Sequence, residues 1–461
     1  MRLTLEDVLK ATGGDLTSPV PSSLTISGVS TDTRTLRPGD LFVPLHGPRA
    51  DGNDFIPEAF RKGAAATLAT RSENGVHGGP VIRVPDGLRA LGALARYYRR
   101  TLTVTVVGIT GSVGKTTTTT MCAGVLATRF AVLRTKDDWN AEIGVPLTVL
   151  GLEPDHQVAV IEMAMRGMGQ IADLVEIAQP KVGVVTNVGD THLELLGSRE
   201  NIARAKEELI RGLPRGGTAV LNLDDPFVAR MRPGKGVTVL TYGLDTAASI
   251  RAEKIVHDSS GVQFTLSVEG SVVHARLSTW GHHNVMNALA AAGVGVALGL
   301  DLRDIARGLE TFVPPKMRLQ PVALGDVLII NDAYNASPSS MEAAFQVLGD
   351  VAGRRRAVAV LGEMKELGAD SGRLHHEVGR SVARRRRVAL LVTVEQGGNQ
   401  IAEGAAAGGM PAEAIIRIPS VEAAIIRVPA LIRPNDVVLV KGSRALEMER
   451  VVSALVRARS T

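Results

Sequence analysis

Short apolar runs rich in β-branched residues alternate along this chain with longer segments of helical spacing, and glycine-rich polar breaks separate them. The clearest run is Val104–Ile109, which has no charged position and predicts a strand buried on both faces. Further runs at Val158–Ile161, Val182–Val188, Asp326–Ile330, Ala357–Leu361, Val388–Val394 and Val437–Val440 predict more strands. Helices are predicted at Glu200–Arg211, from Gly281-His282-His283-Asn284 to about Leu298, and at Ser339–Val347, Gly372–Ala383, Val421–Leu431 and Leu446–Arg457. Such alternation implies largely parallel sheets with helices on both faces. Three repeats of period two, Ser249–Val256, Gly261–Val268 and Ser271–Leu277, predict an antiparallel meander instead. The first hundred residues read as a short helix (Leu5–Ala11), a strand near Leu24–Ser27, a turn at Arg37–Asp40, a strand at Leu41–Pro44 and a helix at Phe55–Lys62.

The pattern therefore predicts an α/β chain of three units. Residues 1–99 form a small mixed α/β domain. Residues 100–313 form a central P-loop, doubly wound domain with a small antiparallel insertion. Residues 314–461 form a C-terminal Rossmann-like domain, with Pro314-Pro315 as the hinge.

Chemistry concentrates where apolar strands end. After Val104–Ile109 come Gly111-Ser112-Val113-Gly114-Lys115 and a run of threonines opening a helix. Backbone N–H groups in such a turn, with the positive helix end, cradle phosphate. Lys115 would reach the terminal phosphates and the Thr116 hydroxyl would bind Mg²⁺. The glycines stand at positions 108 and 111, where the general P-loop spacing asks for one at 109. Glu162 closes the next strand, placed as a Walker-B acid would be. His192 follows another strand and is either a ligand or a structural histidine. Lys206 on its helix reads, by itself, as a solvated lysine. Ser30, Asp32 and Arg34 form a polar cluster able to hold a uridine or phosphate group; residue chemistry alone favours an ordinary turn. Asn284 serves a helix start or faces a nucleotide. Asp332, Tyr334 and Asn335 offer a carboxylate, a ring and an amide to ribose and base, or else a capped turn. The turn Lys441-Gly442-Ser443-Arg444 is an anion candidate, whereas the basic runs Arg354–Arg356 and Arg384–Arg387 are most simply a solvated turn and a helix end.

Composition narrows the class. A length of 461 residues suits about three domains, and 45% apolar content is ample for their cores. A net charge of +5 fits small polyanionic substrates; no aromatic-interleaved basic patch suggests nucleic acid. One cysteine, Cys122, excludes an internal disulfide and a thiolate cluster, and points to a reduced, cytoplasmic setting. The N-terminal MRLTLEDVLK is unlike a signal peptide, and no apolar stretch is long enough to predict a membrane anchor.

The stretches TGSVGKTT, TKDDWNAEIGVPLTVL, AVIEMAMRGMGQI, GVVTNVGDTHLELLGSRENIARAKEEL, GHHNVMNALAAAGVGVALGL, PPKMRLQ, NDAYNASPSSMEAA, AVLGEMKELG and VLVKGSRALEME resemble the ATP-dependent Mur ligases of bacterial peptidoglycan synthesis over nearly the whole chain. The set is most similar to the branch that adds D-alanyl-D-alanine to UDP-N-acetylmuramoyl-tripeptide. A diaminopimelate- or lysine-adding ligase and folylpolyglutamate synthase are the neighbouring alternatives within the family. A P-loop switch or motor and a non-catalytic nucleotide-binding module are the alternatives outside it. The resemblance implies ATP as substrate, held by Gly111, Ser112, Val113, Gly114, Lys115, Thr116, Thr117, Asn284, Arg318, Asp332, Tyr334 and Asn335. It implies Mg²⁺, two ions in all, at Thr116, Glu162, His192 and a carbamylated Lys206. Lys115, Lys206 and His192 would be catalytic. Ser30, Asp32, Arg34, Asn140, Lys441 and Ser443 would contact the UDP-linked muramoyl peptide or D-Ala-D-Ala. It further implies a monomer. This chain departs from the family pattern at Trp139-Asn140-Ala141-Glu142, before IGVP, and at Asp51-Gly52-Asn53.

Overall fold

A computed structural model describes residues 1–17, 24–47, 50–71, 78–136, 138–245, 247–258 and 261–460. Among these, the strands form three main sheets and one small antiparallel pair, Leu3–Thr4 with Thr25–Ile26. The first sheet runs Asp15–Leu16, Val81–Arg83, Ala66–Ala69, Asp40–Phe42, Gly28–Ser30, all parallel except the pairing of Asp15–Leu16. The segment Phe55–Lys62 divides into a 3-10 turn, Gly52–Phe55, and a helix, Ile56–Arg61, with Pro57 in its first turn.

The central sheet runs from Ser271–Leu277 through Gly261–Val268, Ile250–Asp258, Thr238–Gly243, Thr218–Asn222, Val182–Val185, Thr105–Thr110 and Val158–Glu162 to Val132–Arg134. The meander is antiparallel and joins the parallel part through Thr238–Gly243, so one sheet continues across the unit. Its inner strands are buried on both faces. Val106, Ala159, Ile161 and Val185 pack into one core, and Val107, Ile109, Val158, Val160 and Val184 into the other. That two-sided burial explains the unbroken apolar runs in the sequence.

Two glycines set how closely the helix Arg199–Arg211 lies on this sheet. Gly108 and Gly183 are cross-strand partners. A Cβ on Gly108 would sit 2.9 Å from Leu209, and one on Gly183 within 3.3 Å of Leu209, Ile210 and Leu213. The glycine at position 108 is thus a packing residue under the helix that carries Lys206.

The third sheet runs Gln320–Leu324, Val327–Asp332, Val437–Lys441, Ala357–Leu361, Val388–Val394, Ile415–Ile418, parallel but for its first strand. The last helix begins at Glu449, three residues later than the pattern suggests, because Arg444–Leu446 is a 3-10 turn closed by Glu447 at φ +53°. No helix among the described residues is long and apolar enough to cross a membrane.

Candidate active site

The strand Thr105–Thr110 ends at the carboxyl edge of the central sheet, flanked by Val158–Glu162 and Val182–Val185. Gly111 (φ +152°) and Gly114 (φ +87°) then turn the chain into the helix Lys115–Leu126. Both need to be glycine for a second reason, close approach. A Cβ at Gly111 would lie 1.8 Å from Thr186 Oγ1, and one at Gly114 would lie 2.5 Å from Asn287 Oδ1. The predicted strand Val182–Val188 stops at Val185, because the following residues leave the sheet to brace this loop. Val113 N–H donates to Asn187 Oδ1 (2.9 Å), and Val113 C=O accepts from Thr186 Oγ1 (2.7 Å) and Asn187 Nδ2 (2.9 Å). Gly189 N–H donates to Ser112 Oγ at 2.9 Å. We expect Gly111→Ala to displace the loop and lower nucleotide-dependent turnover about 100-fold or more, as misplacement near 1 Å does. Turnover at saturating nucleotide is the check.

Four groups converge on this edge. Lys115 Nζ folds back to donate to Gly111 O (2.9 Å) and Ser112 O (3.4 Å). Burial holds its amine below the ordinary lysine range; the Glu162 charge opposes that shift and Arg318 adds to it. Lys115 and Glu162 are thus within electrostatic range of one another. Glu162 is buried, its Oε1 accepts from Asn140 Nδ2 (2.9 Å), and its N–H donates to Thr135 Oγ1 (2.9 Å). Its Oε2 is buried without any partner. A carboxylate oxygen in that state lacks a cation or donor, so the residues fit a magnesium ion on this observation. The Thr116 hydroxyl, in the first turn beside it, makes no hydrogen bond to another described residue. Among the described residues no cluster of three acid, histidine or cysteine ligands exists. Mg²⁺ beside phosphates is bound through one or two carboxylates and completes its shell with substrate phosphates and water.

His192 caps the short helix Leu193–Leu196 in a left-handed conformation, φ +66°. Its imidazole is held below the usual value by burial, then by Lys206 and Lys115. Lys206, which residue chemistry alone reads as solvated, is buried. Burial, followed by the Lys115 charge, drives its amine well below the lysine range, and no described carboxylate pairs with it.

The third unit closes the far side. Arg318 stacks on the Tyr334 ring, 4.0 Å from its centroid, and the Tyr334 hydroxyl donates to Asp138 of the central unit. Burial and Asp138 push the Tyr334 phenol up to about 12. Asp332 and Lys441 are mutually engaged: Lys441 Nζ lies 2.5 Å from Asp332 Oδ2 and 2.9 Å from Asn335 O, while Asp332 Oδ1 accepts from Leu319 N–H at 3.0 Å. The Asn335 amide oxygen accepts from Ala336 N–H. Ser443 is buried against Glu363, its N–H donating to that carbonyl at 3.0 Å. Asn284 is the third residue of its helix and not the cap. It is buried, donating to Trp280 O and Thr279 Oγ1 and accepting from Asn287. In the first unit Ser30, Asp32 and Arg34 form one turn closed on itself: Ser30 Oγ donates to Asp32 O at 2.9 Å and accepts from Asp32 N–H at 3.2 Å, while Arg34 pairs with Asp32 at 2.6 Å. Asn53 is buried and donates to Asp51 and Thr70, which makes it a structural residue of that unit.

The sequence reading did not single out Thr186, Asn187 or Asn287, which shape the loop. Their signal was present in TN following an apolar strand and in an asparagine three residues after Asn284.

Comparison with known proteins accounts for all three units. Residues 25–99 match the Mur ligase family catalytic domain, 109–295 the Mur ligase middle domain, and 317–444 the Mur ligase glutamate ligase domain. The UDP-N-acetylmuramoyl-tripeptide–D-alanyl-D-alanine ligase of Bacillus subtilis (strain 168) is 36% identical over 459 residues, covering 99% of each chain. That of Escherichia coli (strain K12) is 36% identical over 458 residues, covering 98% of each. A crystal structure of MurF from Acinetobacter baumannii superposes with a TM-score of 0.92 at 31% identity, covering 99% of each chain. The structure of Thermotoga maritima MurF ligase in complex with ADP gives 0.82 at 30% identity, covering 94% of this chain and 98% of that one.

Proposed function

The chain belongs to the Mur ligase family, and from that premise we propose that it joins D-alanyl-D-alanine to UDP-N-acetylmuramoyl-tripeptide at the expense of ATP. The observation that carries the reading is that a half-satisfied Glu162, His192, Arg318 of the third unit and Lys206, which has no carboxylate partner among the described residues, all lie within electrostatic range of Lys115 on the phosphate loop.

The reaction follows from the groups present. The terminal carboxylate of the UDP-linked peptide takes the terminal phosphoryl group of ATP. The acceptor amine attacks the acyl phosphate and phosphate leaves from the tetrahedral intermediate. Loop N–H groups and Lys115 would hold the phosphates in line, so that positioning and charge neutralisation supply most of the acceleration. Magnesium, held by Thr116, Glu162 and His192, would neutralise phosphate charge. Lys206, as a carbamate, would turn a cationic position into an anionic one able to support a second ion. Asn140 acts here by fixing Glu162, and Lys441 and Asp332 by fixing the Tyr334-Asn335 turn, beside which Arg318 and Tyr334 would meet the nucleotide. In the first unit the exposed Arg34 guanidinium would meet the uridine diphosphate end, on a turn shaped by Ser30 and Asp32. All these groups come from one chain, so a monomer suffices. The single cysteine, buried and unpaired, suits a cytoplasmic enzyme.

The expected result is phosphate release that requires ATP, the UDP-linked tripeptide and D-Ala-D-Ala together. Release supported by a free amino acid instead of the dipeptide would reassign the chain to a sister ligase. Release with no acceptor at all would favour an NTPase switch.

A further inference from the structure

The buried apolar cores divide at the hinge, with one exception. Among the described residues, the cores of the first two units hold nothing beyond Phe312. The core on one face of the third sheet gathers Ile330, Met341, Phe345, Leu348 and Leu391, and it also takes in Trp280 of the central unit. Trp280 is only 3% exposed. Its indole is a peg of one unit sunk in the other.

On its own side the peg is tied down. The indole N–H donates to Asp258 O, at the end of the strand Ile250–Asp258 (2.9 Å), and the Trp280 carbonyl accepts from Asn284 Nδ2 (2.8 Å). The units approach closely beside it: Gly281 has φ +97°, and a Cβ there would lie 2.8 Å from Val347 Cγ2. Val347 stands on the helix Pro338–Ala352, which supplies Met341, Phe345 and Leu348 to the same core. The first turn of that helix lies beside the residues that brace the phosphate loop. A Cβ on Gly189 would lie 4.0 Å from Ser339 Oγ, and Gly189 N–H donates to Ser112 Oγ of the loop. The turn entering the helix carries Tyr334, with Arg318 stacked on its ring. One helix therefore joins the peg to the two third-unit groups that would meet the nucleotide. The Tyr334 hydroxyl also ties this turn to Asp138, but that hydrogen bond is exposed to water and adds little net hold.

We propose that Trp280 is a positioning residue for the ATP site, a peg that seats the third unit on the central one and so fixes Arg318 and Tyr334 beside the phosphate loop. The inference rests on the ATP-binding part of the ligase reading and deepens it by naming what holds the two halves of that site together. Apolar burial supplies the hold, and the indole N–H sets the angle of the ring. A chain whose third unit is unseated has only the central half of the site, so apparent nucleotide affinity falls with the seated fraction.

The test measures the dissociation constant for ADP with Mg²⁺ by calorimetry, beside melting curves and steady-state kinetics, for the full chain and its variants Trp280→Ala and Trp280→Phe. Both variants keep the carbonyl that Asn284 uses, so the central half of the site is spared. We expect alanine to weaken ADP about tenfold or more. Phenylalanine fills much of the socket but has no donor for Asp258, and should weaken ADP about threefold. The KM for the UDP-linked peptide, whose nucleotide end the first unit would hold, should stay within about twofold. Adding Trp280→Ala to Arg318→Lys should cost less than the product of the two single losses, because the peg acts through the arginine. An unchanged ADP constant in both variants overturns the proposal, even where the melting point falls, since that is what a merely structural residue would show. Losses that multiply in full overturn it as well. Should the alanine chain fail to fold, the phenylalanine constant decides alone. A wild type that binds ADP but releases no phosphate with D-Ala-D-Ala loses the ligase reading, and the ADP constants still decide the role of the peg.

Discussion

Replacing Lys115 with alanine is expected to abolish phosphate release, by about 10³-fold or more, with little change in thermal midpoint. The ammonium is the one side-chain cation on the loop itself, and its present partners are two carbonyls of that same loop. Those carbonyls lose one donor, while the loop keeps its bonds to Thr186, Asn187 and Gly189, so the fold is not at stake. The helix behind the loop is anchored independently by Met121, Cys122, Val125 and Leu126, all buried. The loop is anchored from the other side by Thr186 and Asn187. What disappears is the charge that meets the transferring phosphoryl group. Lys115→Arg should fare little better, because a planar fork cannot occupy the space of a compact ammonium folded over two carbonyls. Phosphate release under saturating substrates, read beside a melting curve, decides the matter; turnover near wild type in Lys115→Ala would remove the basis of the catalytic assignment.

The parts of the fold that were legible are those whose burial is two-sided. Val104–Ile109, Val158–Ile161 and Ala357–Leu361 announce themselves because a strand covered on both faces has no polar alternation to confuse it. Strands such as Val132–Arg134, Thr238–Gly243 and Gln320–Leu324 lie toward sheet edges, or are half exposed, and their mixed residues carry no clear period. Helix Glu395–Ala407 was missed because its glycines hide helical spacing; Gly397, Gly398 and Gly404 are there to let Glu363, Thr393 and His376 approach. Single residues divide the same way. The phosphate loop and Glu162 stand at strand ends and His192 in the loop that follows one, positions that sequence order reveals. Lys206 does not: its burial depends on Gly108 and Gly183 lowering a helix onto the sheet, a tertiary fact with no local mark. Asp332 and Lys441 are 109 positions apart, and each alone looks like a free charge; only their pairing shows that they hold a turn.

Lys206→Met is the second large effect, and it should move stability and activity in opposite directions. The lysine is buried, has no carboxylate partner among the described residues and lies within electrostatic range of Lys115. Its folded pKa is depressed below the unfolded value near 10.5. The unfolded chain therefore binds more protons than the native one between those two values, and stability rises with pH across that window. Below the folded pKa the full destabilisation is present. Methionine fills the same volume with no charge to desolvate, so in CO₂-free buffer the variant should melt a few degrees higher near neutral pH, a gain of about 1–4 kcal/mol by analogy with other buried charges replaced by apolar residues. Its stability should also lose the corresponding rise toward alkaline pH. Turnover should nevertheless fall about 100-fold or more. Lowering the amine's pKa by burial enlarges the fraction that carries a free lone pair. The neutral amine can attack the carbon of CO₂, form an N–C bond and release one proton, leaving a carbamate whose negative charge suits a site flanked by Lys115. Adding bicarbonate should then raise wild-type turnover and leave the methionine variant unchanged. A variant that melts lower than the wild type across the whole pH range would show that the ammonium is satisfied in the fold, and bicarbonate-independent wild-type turnover would show that the amine works unmodified.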